Sequence, residues 1–284
     1  MKTKNNATTP SSTAAQSAHK PYKLGVTFSG GGARGFAHAG ALMAIEEAGL
    51  KPDAVAGVSA GSVVAVLYAA GVKPLSMATI FARTGFRDFA GLSFGHGGIF
   101  DIEKFENFVM RALGGVRYLE DLRIPTYIAA TDLDHGCPVA FSTGEIGPRM
   151  IASCSIPIVF NPVKIDGVHY VDGGVLSNNA AWVLRDKCET LIGINVSPLR
   201  PYTDNHSILS VALRTYNLLT KAHTAEDMAL CDVAVTTTEL ANFGVFDLRK
   251  IKELFLIGYK NTRQALIDAG MWQTSCGSAP AMKK

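Results

Sequence analysis

The sequence is poor in several features that would assign a 284-residue chain to a class at once. Its five cysteines are scattered and none forms a Cys-x-x-Cys pair, which disfavours a disulfide framework and a zinc site and favours a reducing compartment. Neither sign of charge dominates, because 27 basic residues stand against 24 acidic ones. The resulting net charge of +3 gives no indication of nucleic-acid binding.

The sequence also lacks the pattern of an apolar leader. Residues 1–20 are polar and rich in Ser, Thr and Ala, so we expect a disordered tail rather than a signal peptide. We expect residues 21–270 to form one domain and residues 271–284 a loose tail, in a protein of the cytoplasm. The uncharged run Ala54–Gly71 has Gly-Val-Ser-Ala-Gly in its middle. That interruption favours a strand, a turn and a helix over a membrane span.

What is present is an alternation of strands and helices. A buried strand at KLGVTFSG leads through a glycine loop into a helix that ends at Gly49, and a second strand at DAVAGVS leads into a helix at AGSVVAVLYAAG. This order predicts parallel strands joined by right-handed crossovers, and hence an α/β fold with a mainly parallel sheet. Further along, the patterns predict helices over Ile146–Cys154 and Ile208–Leu230, and a strand that ends at Asp172.

The glycine loop SGGGARG contains a G-x-G-x-x-G pattern at Gly30, Gly32 and Gly35. A dinucleotide-binding loop needs an acidic residue at the end of the second strand, about 20 residues further on. Asp53 lies 18 residues after Gly35, but it precedes the second strand and therefore falls at the opposite edge of a parallel sheet. No Lys-Ser/Thr follows the glycines, which disfavours a P-loop.

The second strand ends instead at Ser59, in a Gly57-Val-Ser-Ala-Gly61 pattern between a strand and a helix. This is the sequence context of a nucleophile elbow, in which small neighbours permit a sharp turn that exposes the serine hydroxyl. Parallel strands end at one edge of the sheet, so the glycine loop lies beside Ser59. Its backbone N–H groups are suited to stabilise the negative oxygen of a tetrahedral intermediate, where one such donor contributes about 3 kcal/mol.

A serine nucleophile needs a base, and none of the seven histidines stands in a context typical of one. His38 lies on the first predicted helix, and His169 precedes the end of a strand. Asp172 in YVDGGV is the better candidate, because desolvation in a dry cleft would raise its basicity. On the residues alone, an Asp-Gly turn is an equally good interpretation of Asp172.

Three motifs in this order, SGGGARG, GVSAG and YVDGG, resemble those of the patatin-like phospholipase family, and the similarity extends from Tyr22 to Asp268. The resemblance implies a three-layer α/β/α fold and hydrolysis of lipid acyl esters, of the phospholipase A or lysophospholipase type, through an acyl-enzyme without metal or cofactor. It implies a dyad of Ser59 as nucleophile and Asp172 as proton acceptor. The implied oxyanion hole comprises Gly30, Gly31, Gly32, Arg34, Gly35 and the N–H of Ala60.

The Phe-rich region has two interpretations. Seven of the 14 phenylalanines lie between Phe81 and Phe108, and we hypothesise that Phe81, Phe86, Phe89 and Phe94 line an acyl channel or lid; core packing is an equal alternative. Arg34 is expected to steady the glycine loop, since its planar fork can bond several carbonyls.

The competing function is a non-catalytic regulatory or interaction protein on the same fold. We expect a lipid substrate, transient contact with a membrane surface and no nucleic acid; the sequence leaves the oligomeric state open.

Overall fold

The structure is a computed structural model, and it describes residues 19–83, 102–199, 201, 207–245 and 248–272, without the side chains of residues 81–83, 102, 209 and 248. The two tails predicted from the sequence therefore lie almost wholly outside the described residues. Phe86, Phe89 and Phe94 lie outside them as well, and only the backbone of Phe81 is described.

A mixed sheet forms the centre of the fold, with the strand order β5-β6-β3-β2-β1-β7-β8 and β4 paired beside β3. Five strands, β3, β2, β1, β7 and β8, run parallel, whereas β4 and the β5–β6 hairpin are antiparallel to their neighbours. The strands are β1 (Tyr22–Phe28), β2 (Ala54–Val58), β3 (Thr126–Asp132), β4 (Cys137–Phe141), β5 (Val163–Ile165), β6 (Val168–Asp172), β7 (Cys188–Asn195) and β8 (Val233–Thr236). The mainly parallel sheet confirms the predicted fold class.

Helices cover both faces of the sheet. They are α1 (Phe36–Glu47), α2 (Ala60–Ala69), α3 (Pro74–Arg83), α4 (Ile102–Ala112), α5 (Ile146–Cys154), α6 (Ala181–Leu184), α7 (Ile208–Ala222), α8 (Thr224–Ala229) and α9 (Ile251–Asp268). Because successive side chains of a strand point to opposite faces, β2 contributes Val55 to a large core under α1, α2, α5 and α9, and Ala54 and Ala56 to a smaller core under α6. Two helical layers thus enclose the sheet.

The helix predicted over Ile208–Leu230 is wrong in one respect, because the chain breaks at His223 into α7 and α8. The hydroxyl of Thr224 donates to the carbonyl of Thr220 over 2.7 Å, and a continuous helix would offer that acceptor to the N–H of Thr224. His223 itself has φ −99° and ψ −4°, outside the helical range.

None of the helices in the described ranges combines the length and the low charge that crossing a bilayer requires.

Candidate active site

The register of β3 brings the ends of β2 and β6 together. Strand β2 pairs with β3 as far as Val58, opposite Ala129, and β6 pairs with β3 from the next residue, where Asp172 lies opposite Ala130. Since β4 occupies the other edge of β3 over these same residues, β6 must continue along the edge that β2 leaves. The residue after β2 is Ser59, so Ser59 and Asp172 meet at this point in the sheet.

Ser59 stands at the sharp turn between β2 and α2, with φ 52° and ψ −123°. A positive φ strains any residue with a side chain, and here close packing of the backbone enforces it. A Cβ on Gly57 would overlap the carbonyl of Gly61, and a Cβ on Gly61 would overlap the carbonyl of Phe28. The G-x-S-x-G spacing is therefore a steric requirement of the turn, and the resulting turn is the predicted elbow.

The end of α5 ties the two junctions together. The backbone N–H of Ser59 donates to the hydroxyl of Ser153 over 2.8 Å, and that hydroxyl donates to the carbonyl of Ala129. Two residues later, the carbonyl of Ser155 accepts the backbone N–H of Asp172 at 2.9 Å. No motif in the sequence indicates that the end of α5 ties the two junctions. The available signal is the run of small polar residues at a predicted helix end.

The thiol of Cys154 lies between these two serines in sequence and beside the hydroxyls of Ser59 and Ser62 in space. Burial, with the nearby charge of Asp172, raises the pKa of this thiol. Cys154 therefore stays protonated at neutral pH and is unsuited to compete with Ser59 as the nucleophile.

Asp172 is 1% exposed and ends β6, where its Oδ1 accepts the N–H of Gly174 at 2.8 Å. Its strand is placed by a two-residue hairpin turn at Asp166 and Gly167, both of which have positive φ, as a type I′ turn requires. Burial raises the pKa of Asp172 to about 6, and the hydrogen bond from Gly174 opposes that rise. The carboxyl group is therefore a stronger base than aspartate in water.

The carboxyl group of Asp172 has two hydroxyls beside it. Those of Ser59 and Tyr216 lie close enough to lower the pKa of Asp172, although Oδ2 accepts no hydrogen bond of standard length and angle within the described residues. Contacts between catalytic groups are often long before substrate binds and tighten afterwards. No sequence pattern indicates Tyr216, because it lies on α7 and reaches Asp172 only through the tertiary fold.

The glycine loop lies against Ser59, since a Cβ on Gly30 would come within 3.3 Å of the Cβ of Ser59. Gly30 differs from expectation as an oxyanion donor, because its N–H already donates to the carbonyl of Asn178 at 3.1 Å. In the part of the chain that the structure describes, the N–H groups of Gly31, Gly32 and Ala60 donate to no acceptor. These three N–H groups, on the glycine loop and directly after Ser59, are therefore available to a ligand.

Arg34 and Gly35 support the loop from behind. The buried guanidinium of Arg34 donates from Nε and Nη2 to the carbonyl of Phe243, and from Nη1 to the carbonyl of Pro198 at 3.1 Å. A Cβ on Gly35 would approach the Cβ of Ala60 to 2.9 Å. These contacts hold the loop in place, as predicted for Arg34, and the oxyanion role implied for the two residues stays a prediction.

The described histidines contact neither Ser59 nor Asp172. His38 is fully buried, and its Nε2 donates to the carbonyl of Ser29 at 2.8 Å. Burial lowers the pKa of His38 to about 4, so the ring is neutral and holds the start of the glycine loop. His169 pairs with Asp134 at the surface. Within the described residues, therefore, Asp172 is the titratable group placed to accept a proton from Ser59.

A second buried carboxylate holds the loop that follows Asp172. Asp227 Oδ2 accepts the hydroxyl of Ser177 at 2.9 Å and the N–H of Asn179 at 3.2 Å. Burial raises the pKa of Asp227 to about 6, against the effect of these bonds. The side chain of Asn178 lies beside Gly30 and Gly174, so this loop links the acid to the glycine loop.

The chain is similar in sequence to known proteins. Residues 26–185 match the family model described as patatin-like phospholipase. An uncharacterized NTE family protein of Mycobacterium tuberculosis is 35% identical over 162 residues, which cover 54% of this chain and 43% of that protein. The lysophospholipase NTE1 of Saccharomyces cerevisiae is 29% identical over 185 residues, which cover 61% of this chain and 11% of that protein.

The fold has a counterpart among solved structures. The crystal structure of VipD from Legionella pneumophila superposes with a TM-score of 0.54 at 14% identity, covering 88% of this chain and 67% of that one. At this identity the likeness concerns the fold alone. The family match extends over more than half of the chain and includes Ser59 and Asp172. This chain belongs to the patatin-like phospholipase family.

Proposed function

We propose that this protein is a serine acyl hydrolase that cleaves acyl esters of lipids, of the phospholipase A or lysophospholipase type. The observation that carries the proposal is the junction of Ser59 and Asp172, where a strained elbow serine faces a buried carboxylate with a pKa of about 6. The family match and the lysophospholipase name of the yeast relative support a lipid ester as the substrate.

In the first half-reaction, the Oγ of Ser59 attacks the ester carbonyl as its proton passes to the Oδ2 of Asp172. The carbonyl π electrons move onto the oxygen and give a tetrahedral oxyanion. When that intermediate collapses, the bond to the leaving alcohol breaks and the alcohol takes the proton from Asp172. The products of this step are the free alcohol, for example a lysolipid, and an acyl group esterified to Ser59.

In the second half-reaction, water replaces the alcohol. The carboxylate of Asp172 accepts a proton from water, whose oxygen attacks the acyl-enzyme carbonyl. Collapse of the second tetrahedral intermediate breaks the bond to Ser59, and Asp172 returns the proton to the Oγ. A fatty acid leaves, and serine and carboxylate are restored.

The free N–H groups of Gly31, Gly32 and Ala60 are suited to stabilise both oxyanions. Gly32 begins a 3₁₀ turn that leads into α1, and Ala60 is the first residue of α2, so both N–H groups lie at the N-terminal ends of helical segments, which favour negative charge. Each donor aimed at the oxyanion lowers the barrier by about 3 kcal/mol, which raises the rate by a factor of about 10² to 10³.

The pKa of Asp172 sets the pH at which the base works. A carboxylate with a pKa of about 6 is largely ionised at pH 7, yet it holds a proton far better than ordinary aspartate. Because the ionised form accepts the proton of Ser59, hydrolysis should fall as the pH drops through about 6.

The proposal is tested by assaying the purified full-length chain on lysophosphatidylcholine, phosphatidylcholine and a short soluble ester. Wild type should release fatty acid from at least one lipid, and Ser59→Ala and Asp172→Asn should each lose almost all of that release. Asp166→Asn is the matched carboxylate control, because Asn accepts the left-handed backbone of that hairpin turn. A wild type inactive on every ester would contradict the proposal and favour an interaction protein built on this fold.

A further inference from the structure

The outer side of α7 is unusually apolar. Four of the twelve exposed large hydrophobic side chains of the described residues lie on this one helix: Ile208 at 89%, Val211 at 52%, Leu218 at 46% and Leu219 at 50% exposure. At 100° per residue, the four fall within an arc of about 100°. We call these four side chains the α7 stripe. The other exposed apolar side chains are scattered over separate elements, with at most two on any helix.

The opposite side of α7 contacts the acid junction. Thr220 is 7% exposed, and its Cγ2 lies 3.2 Å from the position of a Cβ on Gly174, in the 3₁₀ turn directly after Asp172. Tyr216, on the same inner side, presents its hydroxyl to Asp172. One helix, about 10 Å across, therefore separates the α7 stripe from Asp172.

The charged residues of α7 indicate what kind of surface the α7 stripe binds. The sequence of α7 contains Arg214 and Lys221 and no acidic residue. By helical spacing, both cations lie along one border of the α7 stripe, and Lys221 is exposed. An apolar arc bordered by cations is typical of a helix that lies in the interface of an anionic bilayer, with its apolar side chains among the acyl chains.

We propose that the α7 stripe is the surface by which this protein docks on anionic phospholipid bilayers. Docking there places the acid junction one helix diameter from the lipid surface, so an ester of the bilayer lies close to the proposed site. The idea extends the proposed function, since it names where that site meets its lipid. The same stripe of a second copy would match the apolar side chains, but it would bring no acidic residue of α7 against the cations.

Vesicle binding tests the surface apart from catalysis. The full-length Ser59→Ala protein, in which the proposed nucleophile is absent and the lipid stays intact, is sedimented with vesicles of phosphatidylcholine alone or mixed with phosphatidylglycerol. We expect preferential binding to the anionic vesicles. Adding Val211→Ser, Leu218→Ser and Leu219→Ser should weaken that binding by about tenfold or more. Lys221→Gln should weaken it by about fivefold at low salt, with the difference vanishing at high salt.

The matched control adds Leu256→Ser and Ile267→Ser on α9, which removes apolar side chains of 54% and 39% exposure from another surface. The control should bind vesicles like its parent, with all variants keeping the parent's melting temperature. Equal binding by parent and stripe variant, or an equal loss in the α9 control, would overturn the proposal. So would a parent that forms dimers, broken by the stripe substitutions, without binding vesicles. Vesicle binding without any hydrolysis by wild type would contradict the proposed function instead.

Discussion

The two junctions that meet in the candidate active site are held by different forces. The turn at Ser59 is fixed sterically, because backbone atoms of Gly57, Gly61 and Phe28 pack with no room for an added Cβ. The turn at Asp172 is fixed by polar contacts, and one oxygen of its carboxylate is buried without a hydrogen bond of standard geometry among the described residues. Backbone packing therefore determines the turn at Ser59, whereas hydrogen bonding and charge determine the turn at Asp172.

Substitutions at the two halves of the dyad should therefore have different effects on stability and on activity. Altering the packing around Ser59 should cost folding, and activity only as a consequence. Neutralising Asp172 should cost activity while the fold survives, because removing a buried charge relieves the fold of desolvation.

The largest effect is expected from Gly61→Ala, whose added methyl group overlaps the carbonyl of Phe28. Strand β1 lies between β2 and β7 and cannot move aside, so we expect a loss of about 3 kcal/mol or more in the free energy of unfolding. Denaturant melts measure this loss. Gly136→Ala, with a positive φ but open space, is the control and should cost only about 1 kcal/mol. Equal losses in the two variants would contradict a steric origin.

Next, Asp172→Asn should lower the rate of ester hydrolysis by about 10³-fold or more, since the general base is gone. Its stability should change in the opposite direction. A carboxyl group whose folded pKa is raised to about 6 contributes stability below its unfolded pKa of 3.8, and that stability is lost as the pH rises through 6.

The melting temperature of Asp172→Asn should therefore exceed that of wild type more at pH 8 than at pH 4.5, by a difference equivalent to about 3 kcal/mol at most. Asp227 is present in both proteins, so its titration cancels in this comparison. A variant that keeps its activity, or whose stability relative to wild type is the same at both pH values, would speak against the buried, ionised base.

A smaller effect is expected for Ser153→Ala, which leaves the N–H of Ser59 without its acceptor. The elbow should loosen, and kcat should fall by about tenfold while the fold loses about 1–3 kcal/mol. Ser155→Ala is a close match, because it removes a buried hydroxyl that donates to the carbonyl of Ile151 in α5 and not to the N–H of Ser59. If Ser155→Ala lowers kcat as much as Ser153→Ala does, the hydroxyl of Ser153 does not position Ser59.

The smallest effect is a shift in pH dependence. Tyr216→Phe removes a hydroxyl that lowers the pKa of Asp172, so the pKa of that carboxyl group should rise further. The acidic limb of the kcat/KM profile should move to higher pH, while the rate on its alkaline plateau changes by about threefold at most. An unmoved limb with a lower plateau would show that Tyr216 acts only through packing.

The sequence predicts one junction better than the other, for a physical reason. Ser59 is defined by neighbours two residues away, and glycine spacing records close packing directly in the sequence. Asp172 sits in an Asp-Gly turn like many others, and the resemblance to a family distinguished it. Its pairing beside β2 depends on the register of a third strand, and the roles of Ser153, Tyr216 and Asp227 depend on contacts between distant segments.

The sequence also does not predict which backbone N–H groups of the glycine loop are free to bind a ligand. The pattern SGGGARG presents Gly30, Gly31 and Gly32 as equivalent, yet the N–H of Gly30 is already donated to Asn178. The break at His223 was missed for a similar reason, because the side chain of Thr224 competes with its own backbone for an acceptor. The functions expected of Phe86, Phe89 and Phe94 stay predictions, since those residues lie outside the described part of the chain.

The central claim is that Asp172 makes the hydroxyl of Ser59 nucleophilic. Its most direct test is the rate at which a fluorophosphonate labels the protein, followed by intact mass and by peptide mapping of the adduct. We expect one adduct, on Ser59. It should form in wild type at a rate that falls below about pH 6, be absent in Ser59→Ala and form much more slowly in Asp172→Asn. An adduct on another residue, or equal labelling rates in wild type and Asp172→Asn, would contradict the central claim.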